Sequence, residues 1–149
     1  MNSLADARMI RQLYQASQAG VQIDLLVRGI CCMKSDIDGL SENIRVISIV
    51  GRYLEHSRIY YFLNDGREEI YMGSADLMPR NLNRRVEVIF PVEDSKMIRY
   101  IRDDILETYL VDNLKARLMQ SDGSYLRLTP KDGEVQINTQ EYLLTHRKG

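Results

Sequence analysis

Apolar side chains at Leu4, Ile10, Leu13 and Tyr14 fall on one side of a helical projection among polar neighbours, so residues 4 to 18 are predicted to form a helix. Ser3 and Asp6 are start signals for it and Gly20 a stop. The apolar spacing then tightens at Val21, Ile23, Leu25, Leu26 and Val27. This predicts a strand from Val21 to Val27 that ends at Arg28-Gly29, where a sheet commonly presents functional groups. Lys34 to Asn43 is rich in Asp, Gly and Ser and predicts a loop, and the β-branched run Ile44 to Val50 predicts a second strand. Gly51 to Ser57 reads as a turn or short helical connection. Arg58 to Leu63 and Glu68 to Gly73, joined by Asn64-Asp65-Gly66, predict a hairpin. Val86, Val88, Ile89 and Phe90 predict a buried strand from Val86 to Pro91.

Helical spacing returns at Met97, Ile98, Ile101, Ile105, Leu106 and Tyr109, predicting a helix from Ser95 to Tyr109. Lys115 to Met119 and Tyr125 to Leu128 flank Ser121-Asp122-Gly123, a second hairpin signal. A short helix from Gln140 to Leu144 precedes a polar end. Helix, strands and helix in this order predict an α/β chain, with α+β as the alternative. Periodicity alone does not decide whether the sheet is parallel, antiparallel or mixed.

Composition sets limits on that picture. With 149 residues, 44% of them hydrophobic, the chain is long enough for one domain around a sizeable core. Twenty basic residues against 21 acidic ones leave a net charge of -1. That excludes coating nucleic acid or anionic lipid through bulk charge. No apolar run approaches the roughly 20 residues of a membrane-spanning helix, and the first residues lack the pattern of a secretory leader. Cys31 and Cys32 are adjacent and no second pair completes a zinc site, so two buried, reduced thiols and a cytoplasmic setting are expected. No metal-ligating set is expected.

Candidate chemistry is sparse because the chain holds only two histidines, His56 and His146. His56 precedes a predicted strand and is followed by Gly73-Ser74-Ala75-Asp76, Arg80, Arg84, Arg85 and Glu87. A small-residue turn lets backbone N–H groups approach an anion, and the planar guanidinium fork suits phosphate. Arg80, Arg84 and Arg85, packed into six residues, are therefore candidate phosphate-path contacts. Glu87 lies among apolar residues and needs a partner if buried; an arginine or His56 is the natural one, making Glu87 an orienting group.

The strings Val27-Arg28-Gly29-Ile30-Cys31-Cys32, Gly39 to Arg45, Ile47 to Tyr60 and Gly73 to Glu87 resemble the last domain of the polyphosphate kinase family. The resemblance runs from about residue 1 to the early 140s and rests on long, gap-free stretches. It implies a phospholipase-D-like fold, a mixed β-sheet packed between helices. It implies reversible transfer of the terminal phosphate of ATP onto inorganic polyphosphate, through a phosphohistidine in a preceding domain that this chain lacks. By the same resemblance Arg28 and His56 are the ATP and phosphate contacts. Mg2+ ligands are expected outside this chain.

The preceding domains of the same enzyme and ADP are the implied partners, with homo-oligomerisation also open. A cytoplasmic location, with peripheral membrane association, is expected. Residues 1–149 would be one domain that is inactive alone.

The phospholipase D signature asks for His-x-Lys, an Asp five residues beyond the Lys, and Gly-Ser-x-Asn. Here Arg58 replaces the Lys, Leu63 the Asp, and Asp76 the Asn. The alternatives are a phospholipase-D-like phosphodiesterase or nuclease half-site completed by dimerisation, and a non-catalytic anion-binding module.

Overall fold

In the computed structural model, which describes residues 1–146, the strands form two sheets. The first has the order β1-β2-β6-β7, built from β1 (Ile23–Leu26), β2 (Ile44–Ile49), β6 (Ala116–Met119) and β7 (Tyr125–Arg127). β1 runs parallel to β2, with Leu25 opposite Val46, while β2–β6 and β6–β7 are antiparallel. The second sheet is antiparallel in the order β3 (Ile59–Phe62), β4 (Glu69–Gly73), β5 (Ile89–Pro91). The elements anticipated as one sheet thus divide in two, and helices and strands mix in an α+β arrangement.

The first sheet is covered on both faces, because β2 carries apolar residues at both parities. Ile44 and Val46, with Leu25 and Met119, pack against Ile10, Leu13 and Tyr14 of α1 (Ala7–Gln18). Ile47 and Ile49, with Ala116, pack against Tyr109 and Leu110 of α4 (Glu107–Leu110). The expected mixed sheet between helices is this one. A strand buried on both faces loses the polar alternation of a half-exposed one.

Several predicted boundaries move. α1 begins at Ala7, with the Asp6 carboxylate accepting from the N–H groups of Arg8 and Met9. Leu4, assigned to the helix from its spacing, instead bridges Cys31 and Leu77 in extended form and is fully buried. Backbone bonds from Leu4 to Ile30, from Cys32 to Leu4 and from Ala5 to Leu77 stitch this segment between the exits of the two sheets. The Ser95–Tyr109 helix is continuous but compound: α3 (Ser95–Arg99), a π-helical stretch (Tyr100–Leu106), then α4.

The expected buried strand at Val86–Pro91 shrinks to β5 and is exposed; Val86 lies outside it and is fully open to solvent. No described element covers it, and apolar composition alone does not name a cover. The two thiols are free as expected, but Cys31 is half-buried and Cys32 exposed rather than both buried. Gln140–Leu144 falls within α5 (Thr139–Thr145). α2 (Pro79–Arg84) follows β4, with proline suited to its first turn.

Candidate active site

The ends of β1 and β4 and the start of β3 meet at the stitching segment Met1–Ala5. Arg28 leaves β1 half-buried, its backbone N–H donating to the Met1 carbonyl and its carbonyl accepting from Ser48 Oγ at 3.4 Å. Its Nη2 donates to Asn2 Oδ1 at 2.5 Å, and its buried Nε has no hydrogen-bond partner among the described residues. The Asn2 backbone N–H donates to Asp76 Oδ1 at 2.8 Å. Asp76, just past β4, is 2% exposed.

A carboxylate so enclosed requires compensation. Arg58 supplies it from the start of β3, with Nε 3.2 Å from Oδ1 and Nη2 3.1 Å from Oδ2. This two-point fork fixes orientation as well as charge. The remaining Arg58 nitrogen, Nη1, donates to the His56 carbonyl at 2.8 Å. An unbroken line of polar contacts therefore runs Arg28–Asn2–Asp76–Arg58–His56.

Electrostatics follow this geometry. Burial opposes ionisation of Asp76 most strongly, yet Arg58 and the N–H groups of Asn2 and Ser3 together hold its carboxyl below the ordinary range. The same pairing raises Arg58. Tyr60 donates to the Ala75 carbonyl at 2.7 Å, and burial, with the Asp76 charge adding to it, pushes its phenol up to about 12. Asp76, Arg58 and Arg28 all lie within electrostatic reach of Met1.

His56 itself is exposed. Its imidazole has no hydrogen bond or ion pair within the described residues, and the ring is open to an incoming anion. Arg80 and Arg84 are one helical turn apart on α2, and Arg85 follows; all three are exposed and unpaired among the described residues. Glu87 is half-exposed and its direct partners differ from those expected. Ser74 Oγ and Asn81 Nδ2 donate to it, the latter at 2.5 Å, rather than an arginine or His56. Those two bonds, with burial opposing and Arg85 and Arg58 acting from a distance, hold its carboxyl below the usual value. The expectation failed because Ser74 in the turn and Asn81 on α2 are the donors the backbone brings closest.

Arg58 and Asp76 were not candidates, though they occupy positions where the chain departs from the phospholipase D pattern. Two departures of opposite charge were the available signal. Among the described residues no three His, Cys, Asp or Glu side chains gather as a metal-holding group. No described helix is long and apolar enough to cross a membrane.

Residues 1–140 match the family described as polyphosphate kinase C-terminal domain 2. A polyphosphate kinase of Pseudomonas aeruginosa is 57% identical over 144 residues, covering 97% of this chain and 21% of that protein. Polyphosphate kinase 1 of Chlorobaculum tepidum is 56% identical over 147 residues, covering 99% and 21%. The crystal structure of polyphosphate kinase from Porphyromonas gingivalis superposes with a TM-score of 0.91 at 47% identity, covering 97% of this chain and 22% of that one. The chain thus spans about a fifth of the length of the curated relatives it matches.

Proposed function

The chain belongs to the polyphosphate kinase C-terminal domain 2 family, and from that premise we propose that residues 1–149 form one domain of a larger cytoplasmic kinase. In this reading it contributes ATP- and phosphate-contacting groups to reversible transfer of the ATP terminal phosphate onto inorganic polyphosphate. The phosphohistidine belongs to a preceding domain. Phosphoryl transfer needs placement and charge neutralisation more than covalent chemistry from the protein. Arg28 presents a guanidinium to the phosphate oxygens. His56 donates a hydrogen bond, or relays a proton, on the side of the departing ADP.

One observation carries this reading: the line of polar contacts that ties Arg28 to His56 through Asn2, Asp76 and Arg58. The line links the Arg28 guanidinium to the backbone of His56, whose imidazole is left open. The same line weighs against phosphodiester hydrolysis. Arg58, which stands at the lysine position of the hydrolase pattern, is committed to Asp76.

The test uses a kinase chain carrying this domain behind the preceding regions of the Pseudomonas aeruginosa relative. Arg28→Ala and His56→Ala should each lower ATP-to-polyphosphate transfer by about 10²-fold or more, the scale of a lost charge-stabilising contact. The 149 residues alone should show little or no transfer. Unchanged kinetics in both variants would remove the two residues from the site, and robust turnover by the isolated chain would refute the shared-site reading.

A further inference from the structure

His56 sits in a segment that its own side chains hardly anchor. Between β2 and β3 the chain has no regular structure, and from Val50 to Ser57 only Gly51 and Glu55 are even half-buried. Val50 is 53% exposed, Tyr53 45% and Leu54 72%. Hydrophobic packing therefore does not hold this loop. What holds it on the N-terminal side of His56 is chiefly the amide of Gln140, which is 6% exposed on α5, with Tyr109 as a second anchor at Glu55.

Gln140 Oε1 accepts from the Tyr53 N–H at 2.9 Å, while Nε2 donates to the Tyr53 carbonyl at 2.8 Å and to Glu55 Oε2 at 2.9 Å. The side-chain amide thus pairs with the Tyr53 backbone as a neighbouring strand would. The Tyr109 hydroxyl donates to the other Glu55 oxygen. Gln140 stands on a fixed base. The preceding Thr139 donates its N–H to the buried Asp112 and its hydroxyl to the Thr108 carbonyl. Close approach of the amide depends on Gly51, where a Cβ would overlap Gln140 Oε1. With Arg58 holding the His56 carbonyl from the other side, the loop is clamped on both flanks and the imidazole is left free.

We propose that Gln140 is a positioning residue for His56, setting the loop that presents the imidazole to the nucleotide phosphates. The inference rests on His56 being a phosphate contact, as argued above. It adds that α5, remote in sequence, is part of the machinery, and that Gly51 is required because it makes room for the clamp. A displaced loop shifts the imidazole without removing it, and an error of about 1 Å in a reacting group costs on the order of 10²-fold in rate.

The experiment measures ATP-to-polyphosphate kinetics in the same complete kinase for Gln140→Ala, Gly51→Ala, the double variant and His56→Ala, with thermal unfolding midpoints recorded alongside. Gln140→Ala should lower kcat between about tenfold and 10²-fold and raise KM for ATP. A smaller folded fraction lowers kcat alone and does not raise KM. Gly51→Ala should reproduce this by displacing the amide without altering it. The double variant should be no worse than either single one, because the added methyl occupies space the missing amide vacates.

Losses that multiply in the double variant, or a kcat within twofold of the parent for Gln140→Ala, would overturn the inference. So would a reduced kcat with KM unchanged. An inactive His56→Ala beside an active Gln140→Ala overturns the positioning role alone. An active His56→Ala overturns both it and the His56 reading.

Discussion

Replacing Asp76 by Asn keeps the shape of the side chain and removes its charge from a place where water does not reach. The Asp76 side chain is 3% exposed and its partner Arg58 16%. Breaking a buried pair by removing one member costs about 3–5 kcal/mol, because the other charge is left uncompensated. Arg58 retains some water and its bond to the His56 carbonyl, which places the expected loss near the lower end, about 3 kcal/mol. Against a typical total of about 5–15 kcal/mol that is a large fraction. With a urea dependence of about 2 kcal/mol/M the unfolding midpoint should fall by roughly 1.5 M.

The comparison is made by urea unfolding of the parent and Asp76→Asn chains at pH 7 and again in acid. Asp76 is held below its ordinary carboxylate value in the fold. Its contribution is therefore complete above about pH 4, the unfolded value, and is lost as pH falls through the folded value. The gap between the two chains should close in acid as the parent loses what the variant never had. A difference under about 1 kcal/mol at pH 7, or a gap that persists in acid, would refute the reasoning.

Asp112 is 1% exposed and its Oδ1 accepts from the N–H groups of Leu114, Lys115 and Ala116, while Oδ2 accepts from Thr139. Asp112→Ala leaves four donors short and should cost at least about 3 kcal/mol by denaturant titration. Hydrogen exchange should accelerate at the start of β6 and at α5. Changing Arg80, Arg84 and Arg85 together to Gln in the complete kinase should raise KM for polyphosphate and flatten its dependence on ionic strength. It should leave KM for ATP unchanged if the three line the polymer's path; equal KM values for polyphosphate in parent and variant would remove them from it.

The elements around β2 were legible because their side chains record both the period and the burial. Ile44, Val46, Ile47 and Ile49 are buried on two faces, and such a run leaves a continuous apolar trace. The Asn64-Asp65-Gly66 turn was legible for a local reason: all three residues have positive φ, a conformation that Gly, Asn and Asp tolerate best. Leu4 was misread since its helical spacing from later apolar residues is accidental; its burial comes from Cys31 and Leu77, pairings of long sequence separation. Val86 and Val88 were misread as core because a preference for leaving water does not specify what provides the cover. Gln140 carried no signal at all. Its role depends on meeting Tyr53 and Glu55, more than eighty residues away in sequence, and an isolated polar residue near a helix start ordinarily faces solvent.

The phospholipase D comparison gains a physical meaning from the Arg58–Asp76 pair. A lysine and an asparagine at these positions would leave one net positive charge and two independent hydrogen-bonding groups facing the site. Arginine and aspartate together carry no net charge and satisfy each other at two points. Neither is then available to grip a phosphodiester. The two changes therefore turn a pair of substrate-facing groups into a brace between β3, β4 and the Met1–Ala5 segment. Free chemistry is left concentrated at the Arg28 guanidinium and the His56 ring. A surface so equipped can neutralise and orient a phosphoryl group, while the other histidine, His146, lies at the far end of α5 bonded to Tyr142 and Thr145. On the proposed reading the brace and the histidine scarcity point the same way: a domain that places phosphates would take the group that accepts them covalently from elsewhere.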